Sequence, residues 1–453
     1  MSLPLLVVSV ALARKPHREP EPPPPPPDFW SDEGLAATLA KVVPALETAA
    51  GRRFSTPPVV ELATATEFGR VLAEERTLIT GAVQRDTPQE LREQQIGPGG
   101  LVPGILGKYA VFDDKLFLCR EAIASAVTEH MEQPAERIPE FATVVLLHEL
   151  VHALHDQQTD LAEQIRTLPD MEAMYAAQAT SEGLATWVTE RAAAELGLGA
   201  EAKALEELQG WSDEGLVDKS SWPVWASYGL GRDATRWHFE HGGLDEVWEV
   251  AIHPPTLSSG VYRPETWRAQ RVPPDLDYAA ILKGTERKLT DEDWIVGISL
   301  LGEHDLRGEA IFGDNAEALS DILAHLRQAW QLDGALRDRE GQIRILVFDA
   351  PDAATRYLEQ LRAQATGEAA TMSEAIGREV DVVFEPFEDA PGDSAVLRSS
   401  RVRGTDGVFS ERHEAWVIRG ATIVVVSAER FRPGLRLGWT VDEVYRRLEI
   451  ARR

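Results

Sequence analysis

The sequence predicts an α+β protein: a mainly helical domain with a small N-terminal sheet, followed by a C-terminal α+β module. Three observations lead there. Apolar residues dominate the stretch from Phe141 to Leu154, and Met171 to Leu196 is rich in Ala, Leu, Met and Glu and free of proline, so two long helices follow each other. Ahead of them, Tyr109 to Phe112 and Lys115 to Leu118 flank Asp113-Asp114 and read as a hairpin with an acidic turn. After Asp275 the texture changes to short β-type runs, of which Ile343 to Phe348 is of the buried type.

Taken in order, Leu3 to Ala13 is an apolar run of eleven residues ending in Ala-Leu-Ala, long enough for a signal-peptide core and too short to span a bilayer. No Lys or Arg precedes it. Export to the periplasm or the medium is the expectation, with a cytoplasmic location as the alternative. Arg14 to Pro27, with six consecutive prolines from Pro22, reads as a stiff extended spacer. Residues 1–27 are therefore set apart from a helical domain over 28–300 and a C-terminal module over 301–453. Ser31 fits an N-cap for a helix carrying Leu35, Leu39, Val42, Val43 and Leu46. Pro58 to Leu62 reads as a strand and Thr66 to Glu75 as a helix. From Glu190 to Pro273 the chain is helical and holds Trp211, Trp222, Trp225, Trp237 and Trp248, best read as core or cleft lining. In the C-terminal module, Ala353 to Ala365 is a helix and Val380 to Phe384 a strand. Ala415 to Ile418 and Ala421 to Ser427 form a hairpin across Arg419-Gly420, and a last helix starts at Val441, around an antiparallel or mixed sheet.

At 453 residues and 43% apolar composition the chain can bury sizeable cores. Lys plus Arg number 46 against 74 Asp plus Glu, a formal charge of -28 that repels nucleic acid and anionic lipid. Neither a nucleic-acid partner nor a membrane span is expected, and oligomeric state is not readable. Cys119 is the single cysteine, which excludes an intrachain disulfide, a thiolate zinc site and an iron-sulfur cluster.

The chemistry concentrates at His148-Glu149-Leu150-Val151-His152. On a helix, imidazoles four residues apart share one face and can grip one metal ion, while Glu149 projects about a hundred degrees away, within reach of a water on that metal. The flanking Val144, Val145, Leu146, Leu147, Leu150, Val151 and Leu154 leave little of this helix polar, so ionisable groups here need a partner, and zinc is one. The alternative is a hydrogen-bonded pair of core histidines beside a solvated Glu149.

A catalytic zinc takes three protein ligands and keeps a position for water. A His six residues after His152 would continue one known pattern, but that residue is Gln158. His155 shares the face of His148 and His152, yet three ligands on one straight helix converge poorly; it reads as cleft wall or as support for a ligand. Glu182, in Ala179 to Trp187 of the next helix, is the better third ligand, the alternative being a surface carboxylate. Gly183 beside it costs helix stability, which close approach of the two helix backbones would explain.

HELVHALHDQ followed by SEGLATW resembles the gluzincin branch of the zincin metallopeptidases, the thermolysin-like pattern. More closely it is similar to a group of little-characterised bacterial proteins with HELxHALxDQ and EGxA helices. The likeness extends through WPVWASYGLG, HGGLDEVW and PPTLSSGVYRPETW, and more diffusely to Leu301-Gly302-Glu303 and Trp330 to Pro351. It implies a zincin-like fold, His148, His152 and Glu182 as ligands of Zn2+, Glu149 as general base and acid, and Asp156 as a residue orienting a ligand. It also implies an edge strand ahead of the motif helix that pairs with extended peptide, for which the hairpin at 109–118 is the candidate, the alternative being an ordinary hairpin. Two positions depart from the pattern: His155 stands where Gln is usual, and Arg263-Pro264-Glu265 where His-Pro-Glu is usual.

Together these predict zinc-dependent hydrolysis of a peptide or protein substrate, with Glu149 taking the proton of the attacking water. The developing oxyanion needs a further donor; Tyr228, Tyr262, His241 and His253 are candidates, and Tyr228 in Ser227-Tyr228-Gly229 is favoured. The alternative is a non-catalytic binding or scaffold protein on a zincin fold, suggested by the altered Arg263 segment and the large C-terminal module.

Overall fold

The computed structural model describes residues 28–452 apart from 57, 84–104, 209–210, 213–214, 217–221, 270–274, 289–294, 310–315, 337–338, 377–379, 388–393, 405–406 and 430–434. The apolar segment 3–13 and the proline-rich spacer lie outside these residues. The first helix, α1 (Asp32–Ala50), starts where expected: Ser31 Oγ accepts the Gly34 N–H at 3.0 Å. It ends on Gly51 at φ 64°, a left-handed cap that glycine adopts without strain.

A small sheet follows. Strand β1 (Val59–Ala63) runs parallel to β3 (Lys115–Cys119), and β2 (Gly107–Ala110) pairs with the other side of β3, in the order β1-β3-β2. Helix α2 (Ala65–Val83) lies between β1 and β2 in sequence. The hairpin arm is shorter than expected, for Val111 and Phe112 fall in the turn. Asp113 N–H closes on the Ala110 carbonyl at 3.1 Å, and Val111 N–H is taken by Glu75 at 2.9 Å, so neither can continue the ladder.

Helix α3 (Ile138–Thr159) carries the His-Glu-His motif, and most of its residues from Phe141 to His155 are buried. Helix α4 (Met171–Leu196) has the bounds read from the sequence, between an N-cap at Asp170 and the left-handed Gly197. After α5 (Gly199–Leu208), the long α6 (Trp222–Ile252) crosses α4 in direct backbone contact: a Cβ on Gly183 would stand 2.1 Å from the Gly231 carbonyl carbon, and one on Gly231 2.0 Å from the Ala179 oxygen. The close approach expected at Gly183 thus lies between α4 and α6 and not against α3.

The C-terminal region is built on one antiparallel sheet of seven strands: β4 (Ile295–Leu300), β5 (Leu326–Leu336), β6 (Arg339–Phe348), β7 (Val380–Pro386), β8 (Ser394–Gly404), β9 (Gly407–Arg419) and β10 (Thr422–Glu429), in the order β4-β5-β6-β10-β9-β8-β7. Alternation along the strands gives it two apolar faces. Ile343, Ile345, Ala415 and Val424 meet α10 (Leu435–Ala451) through Val441 and Tyr445, while Leu346, Trp416 and Ile423 meet α8 (Ala316–Leu323) and α9 (Pro351–Ile376). Strand β4 and the residues Tyr278, Ile281 and Leu282 belong to this packing, so its core begins ahead of the expected boundary at 300/301. The molecule is mixed α+β, with the small sheet and the large antiparallel sheet at opposite ends of the sequence.

A buried polar knot joins the regions at α7 (Glu303–Glu309). Glu303 receives both arms of Arg263 at 2.9 and 2.6 Å and is also bound by Arg307. Glu172 accepts the Ser258 N–H and hydroxyl at 2.7 and 2.8 Å, and the His304 ring lies on Tyr175 with centroids 3.4 Å apart. Among the described residues no helix is long and apolar enough to cross a membrane.

Candidate metal centre

Helices α3 and α4 lie side by side, which brings three ligand atoms together. His148 Nε2, His152 Nε2 and Glu182 Oε2 are mutually 3.2 Å apart. Three atoms at that spacing outline one face of a tetrahedron whose centre lies about 2.0 Å from each, close to the bond lengths of zinc to imidazole nitrogen and carboxylate oxygen. These side chains are the group suited to hold a metal ion found among the described residues.

The donor set fits a cation for a second reason. Two imidazole nitrogens and a carboxylate oxygen meeting at one point bring lone pairs face to face unless a proton or metal sits among them. Burial raises the Glu182 pKa, but His152 and His148 outweigh it and hold the carboxyl well below the ordinary range. His152 responds in kind: burial lowers its pKa, and the Glu182 charge reverses that to a net upward shift.

Glu149 is held by the edge strand. The Tyr109 N–H on β2 donates to Glu149 Oε2 at 2.6 Å, and Oε1 has no hydrogen-bond partner among the described residues. Gly107 lets the strand come this close, since a Cβ there would stand 2.7 Å from Val145 and 2.9 Å from the Glu149 side chain. Among the described residues Asp156 bonds to none of His148, His152 and Glu182. Its Oδ2 accepts the Tyr109 hydroxyl at 2.7 Å and its Oδ1 the Leu161 N–H at 2.6 Å, so it fixes β2 and, through it, Glu149.

Of the four candidate donors, Tyr228 is the one beside the cluster. Its ring stacks on His148 with centroids 5.7 Å apart; burial, then the charges of Glu182 and Glu149, push its pKa well above the ordinary phenol value. The Gly183–Gly231 contact puts it there, one turn before Gly231. Tyr262 is engaged elsewhere with His304, His241 is exposed and bonded to the Trp237 carbonyl, and His253 is exposed. Arg263 is paired with Glu303, away from the cluster.

His155 stands behind the ligands. Its Nε2 meets the Ala251 carbonyl at 3.0 Å and its Nδ1 meets Ser181 Oγ at 3.2 Å, while burial drives its pKa down to about 4. Ser181 Oγ also meets His152 Nδ1 at 3.2 Å, a contact sequence reasoning missed, although a serine directly before Glu182 on an alanine-rich helix was a usable signal. Beside His148, Glu149 and Tyr228 a pocket opens, with Ile105, Leu106, Val144, Val145 and Leu205 among its lining residues.

No protein-family model matches this chain, and no curated protein does. Among solved structures, the extracellular domain of PknH from Mycobacterium tuberculosis matches at 10% identity over 40% of this chain and 100% of that one, with a TM-score of 0.26. A score that low carries no argument about fold or function.

Proposed function

We propose that this chain is a zinc-dependent peptidase of the zincin type, with His148, His152 and Glu182 as the metal ligands and Glu149 as general base. The observation that carries this reading is the 3.2 Å triangle of ligand atoms with an anchored Glu149 beside it. Bound zinc supplies Lewis acidity, which makes water a better nucleophile and a peptide carbonyl a better electrophile. The residues of the chain supply the rest. Glu149, its Oε2 tied to the Tyr109 N–H, presents Oε1 to accept a proton from the attacking water and afterwards to return it to the leaving amine. The Tyr228 hydroxyl is the donor for the oxyanion that develops on the substrate carbonyl. Among the described residues β2 pairs only with β3, and with its Tyr109 N–H taken by Glu149 it borders the cleft as a wall, while the apolar pocket receives a side chain of the substrate.

The test is hydrolysis of a mixed peptide library by zinc-loaded wild type and Glu149→Gln. The substitution keeps shape and hydrogen bonding but removes basicity, so the expected result is a loss of about a hundred-fold to ten-thousand-fold in rate with zinc content unchanged. Equal rates at equal metal content would sink the peptidase reading in favour of a metal-binding scaffold.

A further inference from the structure

We propose that Ser181 and His155 are positioning residues for His152: with the Ala251 carbonyl as anchor, they form a hydrogen-bond relay that fixes the tautomer presenting a bare Nε2 to the metal. The proposal rests on the zinc reading above and adds two side chains that touch neither metal nor substrate.

The direction of each bond follows from the end of the relay. A carbonyl only accepts, so His155 Nε2 must carry a proton and donate it to Ala251, 3.0 Å away. His155 is neutral and 1% exposed, hence its Nδ1 is a bare acceptor. The Ser181 hydroxyl has one proton, and it goes to that nitrogen, 3.2 Å distant. What Ser181 then offers His152 is a lone pair, so His152 Nδ1, also 3.2 Å away, is the protonated nitrogen and Nε2 the free one. Each donor meets one acceptor, and no other arrangement with neutral rings satisfies all three contacts.

The neighbouring Thr180 marks what Ser181 gives up. Its hydroxyl donates to the Ala176 carbonyl at 2.8 Å, the ordinary fate of such a group inside a helix. The relay starts from α6, crosses to α3 at His155, passes through α4 at Ser181 and returns to α3 at His152, so three helices define the orientation of one ligand ring. Without it, a neutral imidazole is free to carry its proton on Nε2, which must leave before metal binds.

Zinc affinity measured by chelator competition, together with nitrogen-15 NMR of histidine-labelled, zinc-loaded protein, tests this. Ser181→Ala is expected to weaken zinc binding by about 10- to 100-fold, while Thr180→Ala leaves it unchanged and Ser181→Thr restores it. In the wild type the His152 Nδ1 proton should be visible and protected from solvent exchange, and in Ser181→Ala that protection should be lost. Unchanged affinity in Ser181→Ala, or a wild-type Nδ1 proton that exchanges as fast as an exposed imidazole, overturns the relay while the zinc site stands. A wild type that takes up no zinc overturns both.

Discussion

Two largely buried glutamates show how differently this chain treats the same side chain. Glu414, on the large sheet, is met by Arg398 and Arg412 at 3.1 Å each and by the Trp416 indole N–H, also at 3.1 Å. Glu182, on α4, is met by two imidazoles at 3.2 Å each. In the sheet the charge is neutralised by permanent cations. In the helical region every partner is one whose charge depends on what else is bound. That contrast distinguishes the two carboxylates more sharply than burial does, because both are buried to a similar degree.

Replacing each glutamate in turn tests the distinction. Glu182→Ala should lower zinc affinity by about a hundred-fold, roughly 3 kcal/mol for one ligand of four, read by metal titration, and should leave the thermal stability of the metal-free protein nearly unchanged. Glu414→Ala should do the reverse, leaving zinc binding intact and costing about 1 kcal/mol of stability through the lost Arg398, Arg412 and Trp416 contacts. If Glu414→Ala strips the metal, the two regions are not independent in the way described. A comparable effect is expected at the helix crossing. Gly183→Ala drives a methyl into the Gly231 backbone and should destabilise by about 3 kcal/mol in a denaturant melt, whereas Gly69→Ala on α2, where a Cβ meets nothing within 4 Å, should stabilise by up to about 1 kcal/mol.

The knot between the regions gives a pH dependence of definite sign. Burial lowers the His304 pKa from 6.5 to about 4, so the unfolded chain takes up the proton first. The stability that depends on neutral His304 is complete above pH 6.5 and is lost as pH falls toward 4. Relative to His304→Phe, which keeps a ring on Tyr175 but cannot titrate, the wild type should lose about 2 kcal/mol more between pH 7 and 4.5, seen in paired thermal melts. Parallel melting curves across that range would contradict it. The smallest effect is expected from Tyr109→Phe, which frees β2 from Asp156: about a three- to tenfold drop in kcat with zinc retained, equivalent to about 1 kcal/mol.

The helical half was largely legible because its signals are local. Ser31, the bounds of α4, the shared face of His148 and His152, and Glu182 one helix later all follow from spacing and capping chemistry. The sheet was legible only in part. Ile343 to Phe348 and the hairpin across Arg419-Gly420 are apolar and stand out, but β5 and β8 do not. Their outer portions carry Gln331, Asp333 and Arg398, which pair across strands with Arg344, Gln342 and Glu414, and no single strand reveals its partner. Ser181 and the Tyr109 N–H escaped notice for the same reason: each acts through a residue distant in sequence. Leu301-Gly302-Glu303 and Arg263 were visible as motif fragments, and their meeting at Glu303 gives them a joining role apart from the cluster.

The glycine contact between α4 and α6 also limits how the site can move. Backbones touching at Gly183 and Gly231 leave no slack for sliding or hinging without breaking the close fit, so the wall carrying Glu182 and Tyr228 behaves as one rigid plate. The opposite wall is thinner: a single edge strand tied to Glu149 and Asp156 by the Tyr109 N–H and hydroxyl. Breathing motions of the cleft therefore fall on β2 and its hairpin. Amide exchange should be fastest there and slowest along the α4–α6 seam.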